Sequence, residues 1–142
     1  APEMFRVARP RDPFKAKQLQ KGLQELGEEG AIQVLALPLG NTFLLGAVGP
    51  LQFEIVAYRL KSEYKVDAVY DTPNIYTARW LTFPDDTTRQ RFEREQVNRI
   101  ARDVDDNPVY LSPTRSDLQV TMERWPKVSF HTTREHGQRL AS

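Results

Sequence analysis

Two short apolar runs joined by a turn constrain the fold of this 142-residue chain most strongly. Ile32–Leu37 and Thr42–Val48 are rich in β-branched and other apolar residues, and Pro38-Leu39-Gly40-Asn41 lies between them. Runs of this kind around a short segment with Pro and Gly are typical of a β-hairpin. The sequence therefore predicts that an antiparallel strand pair lies near the centre of the first half.

Helical patterns flank this predicted hairpin on both sides. Asp12-Pro13 has the capping and first-turn residues of a helix start, and Gly27 and Gly30 bracket its end. Its inward positions are predicted to be Phe14, Leu19, Leu23 and Leu26. A second helix is predicted from Gly49-Pro50 to about Tyr64, and its broad apolar surface predicts deep burial against a sheet. That apolar surface comprises Leu51, Phe53, Ile55, Val56, Ala57, Leu60 and Tyr64.

Strands predicted at Met4–Arg9 and Val66–Tyr70 complete the order β-α-β-β-α-β. This is the split βαβ, ferredoxin-like arrangement, so the predicted fold class is α+β. We assign residues 1–82 to this half. Residues 83–142 form a second, smaller α/β half.

The elements predicted after Pro73 are strand Asn74–Leu81, helix Thr87–Arg102, turn Asp103–Asn107, strand Val109–Leu111, helix Pro113–Trp125, strand Val128–His131 and a frayed tail, 137–142. Trp80, Trp125 and Phe130 each need a partner surface, and a half of about 60 residues is marginal alone. We therefore expect one folding unit. No internal repeat is visible in the sequence.

Composition excludes several classes of protein. The chain has no cysteine, so disulfide and thiol chemistry are excluded. No apolar run approaches the roughly 20 residues that cross a bilayer, and we expect no membrane partner. The net charge is only +1, but residues 1–21 carry six basic side chains against two acidic ones. A local basic stripe is typical of an RNA or phosphate surface, although charge alone favours a solvated helix face.

Motifs for nucleotide, metal or nucleophile chemistry are missing. The sequence contains no G-x-x-x-x-G-K-[ST], no G-x-G-x-x-G and no G-x-S-x-G. His131 and His136 are five residues apart without a helical metal motif, so we predict no metal site. Asp85-Asp86 and Asp105-Asp106 lie in predicted turns, where capping explains them. We predict that this chain has no catalytic residue, binds no cofactor and is not an enzyme.

Several passages resemble a known family. Gly46–Val56 followed by Arg59–Val66 is similar to the G-x-G-E-L-H-L-E-I and R-L-K-x-E-F/Y-x-V passages of domain III in elongation factor G. A more extensive resemblance is to the C-terminal domain of bacterial peptide chain release factor 3. It runs from residue 1 to about 136 and rests on Phe5–Arg9, Asp12–Leu19, Gly46–Phe53, Thr77–Trp80 and Phe130–His136.

The resemblance implies a ribosome-docking domain of a cytoplasmic translation-termination GTPase. Such a factor promotes GTP-dependent release of class I release factors, which would be indirect partners. GTP and Mg²⁺ would be held by a G domain outside this chain. The direct partners implied are small-subunit rRNA and protein, and the factor's own GTP-binding and β-barrel domains. The chain lacks an initiator Met, so we expect an excised part of a longer protein. The alternative is a free-standing ferredoxin-like regulatory or ligand-binding domain.

The residues predicted to contact rRNA are basic. Arg9, Arg11, Lys15 and Lys17 follow one another along the first strand and helix. Alternation along a strand places Arg6 on the other side from Arg9, so we rank it lower. Arg59, Lys61 and Lys65 lie in or just after the second helix and extend the set.

Overall fold

The computed structural model describes residues 4–40 and 42–132. The strands are β1 (Met4–Pro10), β2 (Gln33–Ala36), β3 (Phe43–Ala47), β4 (Ala68–Asp71), β5 (Thr77–Thr82), β6 (Ile100–Arg102), β7 (Pro108–Ser112) and β8 (Ser129–His131). The helices are α1 (Ala16–Glu29), α2 (Pro50–Tyr64), α3 (Asp86–Glu95) and α4 (Arg115–Arg124), with 3₁₀ turns at Pro13–Lys15 and Val97–Arg99. The α+β class is confirmed. The predicted tail at 137–142 and His136 lie outside the described residues.

The chain divides into two compact units, Ala1–Pro73 and Asn74–Ser142. This boundary lies before Thr77–Thr82, whereas the sequence prediction placed that segment in the first half. The physical reason is strand pairing, because Thr77–Trp80 pairs with Val109–Ser112 of β7 and Trp80–Thr82 pairs with β8. The expectation that the halves form one folding unit stays a prediction.

In the first unit the strand order is β4-β1-β3-β2, and every neighbouring pair is antiparallel. Helices α1 and α2 pack against each other and against the strands. Their buried residues are Leu19, Leu23 and Leu26 of α1 and Phe53, Val56 and Leu60 of α2. The element order is the β-α-β-β-α-β order predicted from sequence.

Gly22 explains how closely the two helices approach. A Cβ at this position would lie 2.6 Å from Leu60 Cδ2 and 3.0 Å from the Tyr64 ring. Glycine at this position therefore allows α1 to pack closely against α2. It destabilises the helix by about 1 kcal/mol relative to Ala.

The second unit has the strand order β6-β7-β5-β8, again with antiparallel neighbours. Its core is built around Phe92 of α3, whose ring lies 5.1 Å from the Trp125 ring and 5.9 Å from both the Tyr110 and Phe130 rings. Counted along the chain within each unit, the strands lie in the order fourth, first, third, second, read from β4 in the first unit and from β8 in the second. The two units thus share one topology, although the sequence shows no repeat.

Two helical predictions need correction. The helix predicted to run to Arg102 ends at Glu95, and Ile100–Arg102 is a strand that pairs with β7. Phe14 is 94% exposed instead of facing inward. It precedes Leu19 by five residues, which is a rotation of about 140° from the Leu19 direction on an ideal helix, and it lies in the 3₁₀ turn before α1.

Candidate RNA-contacting surface

One end of the first unit carries most of the basic residues singled out by the sequence. Here β1 ends, α1 begins, α2 ends and β4 begins. The Arg11 backbone N–H donates to the Asp67 carbonyl at 2.9 Å, and Lys15 Nζ donates to the Lys65 carbonyl at 3.1 Å. These contacts bring the start of α1 to the end of α2. We call this region the basic end and define it as Arg11, Lys15, Lys17, Lys61 and Lys65.

Part of the positive charge of the basic end stabilises the C-terminal end of helix α2. The last carbonyls of α2 attract cations because they lack helical partners. Lys15 satisfies the Lys65 carbonyl, and Lys65 Nζ donates to the Ser62 carbonyl at 2.9 Å. Lys61 Nζ lies 3.9 Å from Asp67 Oδ1, with both side chains exposed. These lysines therefore have a structural role and still expose their charge to solvent.

Arg11 and Lys17 differ from those lysines. Both side chains are exposed, and neither forms a side-chain hydrogen bond or ion pair with the residues from 4 to 40 and 42 to 132. Asp12, between them in sequence, is engaged in accepting from the Phe14 N–H at 3.0 Å. Arg11 and Lys17 are thus the most available cations of the basic end.

Arg59, which the sequence predicts as an RNA contact, is paired with carboxylates of both helices. Its guanidinium binds Glu29 of α1, with Nη2 3.2 Å from Oε2, and Glu63 of α2, with Nε 2.7 Å from Oε2. These hydrogen bonds, which Arg59 donates to Glu63 and to Glu29, raise the pKa of Arg59 above its ordinary value, and the bond to Glu63 has the larger effect. Hydrogen bonds from Arg59 lower the pKa of both glutamates. Two carboxylates neutralise Arg59, so it binds α1 to α2.

Arg6 and Arg9 lie outside the basic end. Arg6 Cζ lies 5.4 Å from the Phe53 ring centroid, and Arg6 Nη1 donates to the Phe5 carbonyl at 2.7 Å. Arg9 Nε is 2.9 Å from Asp71 Oδ2, in an exposed pair at the edge strand β4. Since successive residues of a strand alternate faces, Arg6 and Arg9 point to opposite sides of the sheet. The predicted RNA contacts therefore fall into two groups, the basic end and three arginines that have partners within the first unit. Those arginines are Arg6, Arg9 and Arg59.

An exposed apolar stripe runs from just before helix α2 along its outer face, and we define it as Val48, Leu51, Ile55 and Tyr58. All four side chains are exposed, and Tyr58 is 72% exposed. Leu51, Ile55 and Tyr58 recur at the spacing of one helix face. The sequence prediction buried Leu51 and Ile55, but the sheet covers only the side of α2 that carries Phe53, Val56 and Leu60.

The second unit has a partly buried polar network. Asp117 Oδ2 accepts from Tyr110 Oη at 2.5 Å and from Ser112 Oγ at 2.8 Å, and Arg99 Nη1 binds its other oxygen. Burial alone would raise the pKa of Asp117. The hydrogen bonds outweigh this effect, and the pKa of Asp117 is lowered. The network fixes the start of α4 on β7.

The described part of the chain has no candidate metal centre. Among residues 4–40 and 42–132, no three His, Cys, Asp or Glu side chains are arranged to hold a metal ion. His131 Nε2 lies 2.9 Å from Thr82 Oγ1, within the β5–β8 pair. No helix in that part is both long and apolar enough to cross a membrane.

Comparison with known protein families gives a match over most of the chain. The model of the family described as "Class II release factor RF3, C-terminal domain" matches residues 1–122. The chain is thus a domain of the translation release factor class. More particularly, it belongs to the family of C-terminal domains of class II release factor RF3.

A curated relative supports the assignment over nearly the full length of the chain. Peptide chain release factor 3 of Aromatoleum aromaticum (strain DSM 19018 / LMG 30748 / EbN1) is 67% identical over 141 residues, or 99% of this chain. The chain spans about a quarter, 26%, of the length of that relative. The resemblance stated from the motifs is confirmed.

Proposed function

We propose that this chain is the ribosome-docking domain of a translation-termination GTPase. The factor would promote GTP-dependent release of class I release factors from the ribosome. The observation that carries the docking role is the basic end, where five cations gather at one end of the first unit. Family membership favours this role over a free-standing regulatory or ligand-binding domain.

The direct partner of the basic end would be ribosomal RNA of the small subunit, beside a small-subunit protein. Cations bind phosphates without reading sequence, and each contact adds to the salt dependence of binding. Three to five such contacts are weak alone. They become effective when other domains of the same factor hold the domain near its site, because the local concentration is then high.

GTP binding and hydrolysis would take place in another domain of the factor. GTP and Mg²⁺ would be bound by its G domain, and this chain would contribute no catalytic group. A factor of this kind works in the cytoplasm. The exposed apolar stripe of α2 fits a protein partner better than RNA, because none of its four members is charged. We propose that it contacts another domain of the same factor, either the GTP-binding or the β-barrel domain.

Neutralising the basic end tests the docking role. In the complete factor, we would change Arg11, Lys15 and Lys17 to Gln and measure the dissociation constant for ribosomes over a range of salt concentrations. We expect weaker binding and a slope of log K against log salt that is shallower by about 2–3, since each lost phosphate contact removes a little under one unit.

The matched control changes three exposed cations of the second unit, Arg94, Arg115 and Lys127, to Gln. It alters net charge equally and should keep the slope. The thermal stability of the isolated 142-residue chain should be unchanged by the control variant. The basic-end variant should lower it only slightly, because a single hydrogen bond from Lys15 Nζ to the Lys65 carbonyl is lost. Equal slopes for both triple variants would show that the basic end only solvates the domain.

A further inference from the structure

Phe14 is exposed on a turn that is held in place. Its side chain is 94% exposed, so it contributes little to the core. The ring of Pro13 fixes the backbone angle φ of Pro13 itself. The Phe14 N–H donates to Asp12 Oδ1 at 3.0 Å, and the Lys15 N–H donates to the Asp12 carbonyl at 2.9 Å. Binding through Phe14 therefore requires little further ordering of the backbone.

Cations flank this ring along the chain. Arg11 precedes it, Lys15 and Lys17 follow it, and the Arg11 and Lys17 side chains are exposed and available. A single exposed apolar residue is ordinary on a protein surface. The combination of an exposed aromatic ring with cations on both sides is the arrangement that proteins use for single-stranded nucleic acid, in which the ring stacks on a base and the cations bind phosphates.

We propose that Phe14 stacks on an unpaired base of ribosomal RNA, while Arg11, Lys15 and Lys17 bind the phosphates beside it. Paired bases are not accessible to a side chain in an RNA helix, so the base must lie in a loop, bulge or end. This role rests on the proposed ribosome docking and adds the kind of RNA element that is bound. Stacking involves no charge, so its contribution does not depend on salt.

Three substitutions separate stacking from other contacts. In the complete factor, Phe14→Trp keeps a stacking ring, Phe14→Leu keeps an apolar side chain without a ring, and Phe14→Ala removes both. We expect ribosome binding of the Trp variant to match that of the unchanged factor. The Leu and Ala variants should bind about fivefold or more weakly, with an unchanged salt slope. Because the ring is exposed, all three should melt at the temperature of the unchanged chain.

Each other result has a definite meaning. Full binding by Phe14→Leu would show that the residue enters an apolar protein pocket, and it would overturn the stacking role. Full binding by Phe14→Ala would overturn any contact at this position. In either case, a shallower slope on neutralising Arg11, Lys15 and Lys17 would leave the docking role intact. If neutralisation also leaves the slope unchanged, both proposals fail.

Discussion

At the scale of single residues, environment decides what a charged side chain does. Arg11 and Arg59 have the same chemistry, yet Arg11 is exposed without a side-chain partner in the described ranges and Arg59 is bound by two glutamates. Sequence could identify both as basic candidates. It could not separate them, because Glu29 comes next to Arg59 only through the packing of α1 on α2.

Phe14 illustrates the same limit for an apolar residue. Periodicity assigned it to the core, but the regular helix begins only at Ala16. The signal for the exception was present in Asp12-Pro13, which starts a turn as readily as it starts a helix. The packing residues Leu19, Leu23 and Leu26, which follow the regular helix, are all buried as predicted.

Asp117 provides a prediction about pH. In Asp117→Asn the side chain loses its charge and cannot accept from Tyr110, Ser112 and Arg99 together. We expect the free energy of unfolding of the chain at pH 7 to fall by about 1–3 kcal/mol. Because folding lowers the pKa of Asp117, its stabilisation is present above the unfolded pKa of about 4 and is lost as pH falls through the lower folded value.

Urea unfolding at pH 7 and pH 3 would check this prediction. The difference between the original chain and Asp117→Asn should be clearly smaller at pH 3. Asp86→Asn is the matched control, since Asp86 forms an exposed pair with Arg89 and should matter by less than about 1 kcal/mol. A loss for Asp117→Asn that is the same at both pH values would mean that the charge is not responsible.

At the scale of elements, the strongly periodic helices and the central strands were predictable, and the short strand β6 was not. Ile100 and Ala101 fit the apolar seam of a continued helix as well as they fit a strand. Their strand state depends on pairing with Tyr110 and Val109, which lie about ten residues later in the chain. Local sequence does not contain that information.

Helix α2 gives a prediction at this scale. Replacing Ile55 and Tyr58 by Gln should leave the stability of the isolated chain nearly unchanged, because both side chains are exposed. If the apolar stripe contacts another domain, the same double substitution should lower the melting temperature of the complete factor. Scanning calorimetry of both proteins measures the two effects.

The control for α2 replaces Val97 and Val120, exposed apolar residues of the second unit, by Gln. It should have no effect on either protein. If the α2 substitutions leave the complete factor as stable as before, the apolar stripe is not covered by another domain.

At the scale of the whole molecule, two units share one topology without a visible sequence repeat. Within the described residues, each unit has two α-helices and four strands in the order β-α-β-β-α-β. Pattern analysis found this order in the first unit and missed it in the second, because one strand was absorbed into a predicted helix. Family membership was predictable because motifs such as Gly46–Phe53 are long and specific. Which residues form the proposed docking surface depends on the approach of α1 to α2, which no motif records.

Directed cleavage of rRNA tests the central claim that the basic end faces ribosomal RNA. The chain has no cysteine, so a single Lys17→Cys introduces the only thiol of this domain, to which an iron chelate that generates hydroxyl radicals can be attached. The measurement uses the complete factor, freed of other cysteines and bound to ribosomes. We predict strand cleavage in small-subunit rRNA from position 17 and none from an equivalent probe at Arg115→Cys in the second unit. Absence of cleavage from position 17, or equal cleavage from both positions, would contradict a docking surface at the basic end.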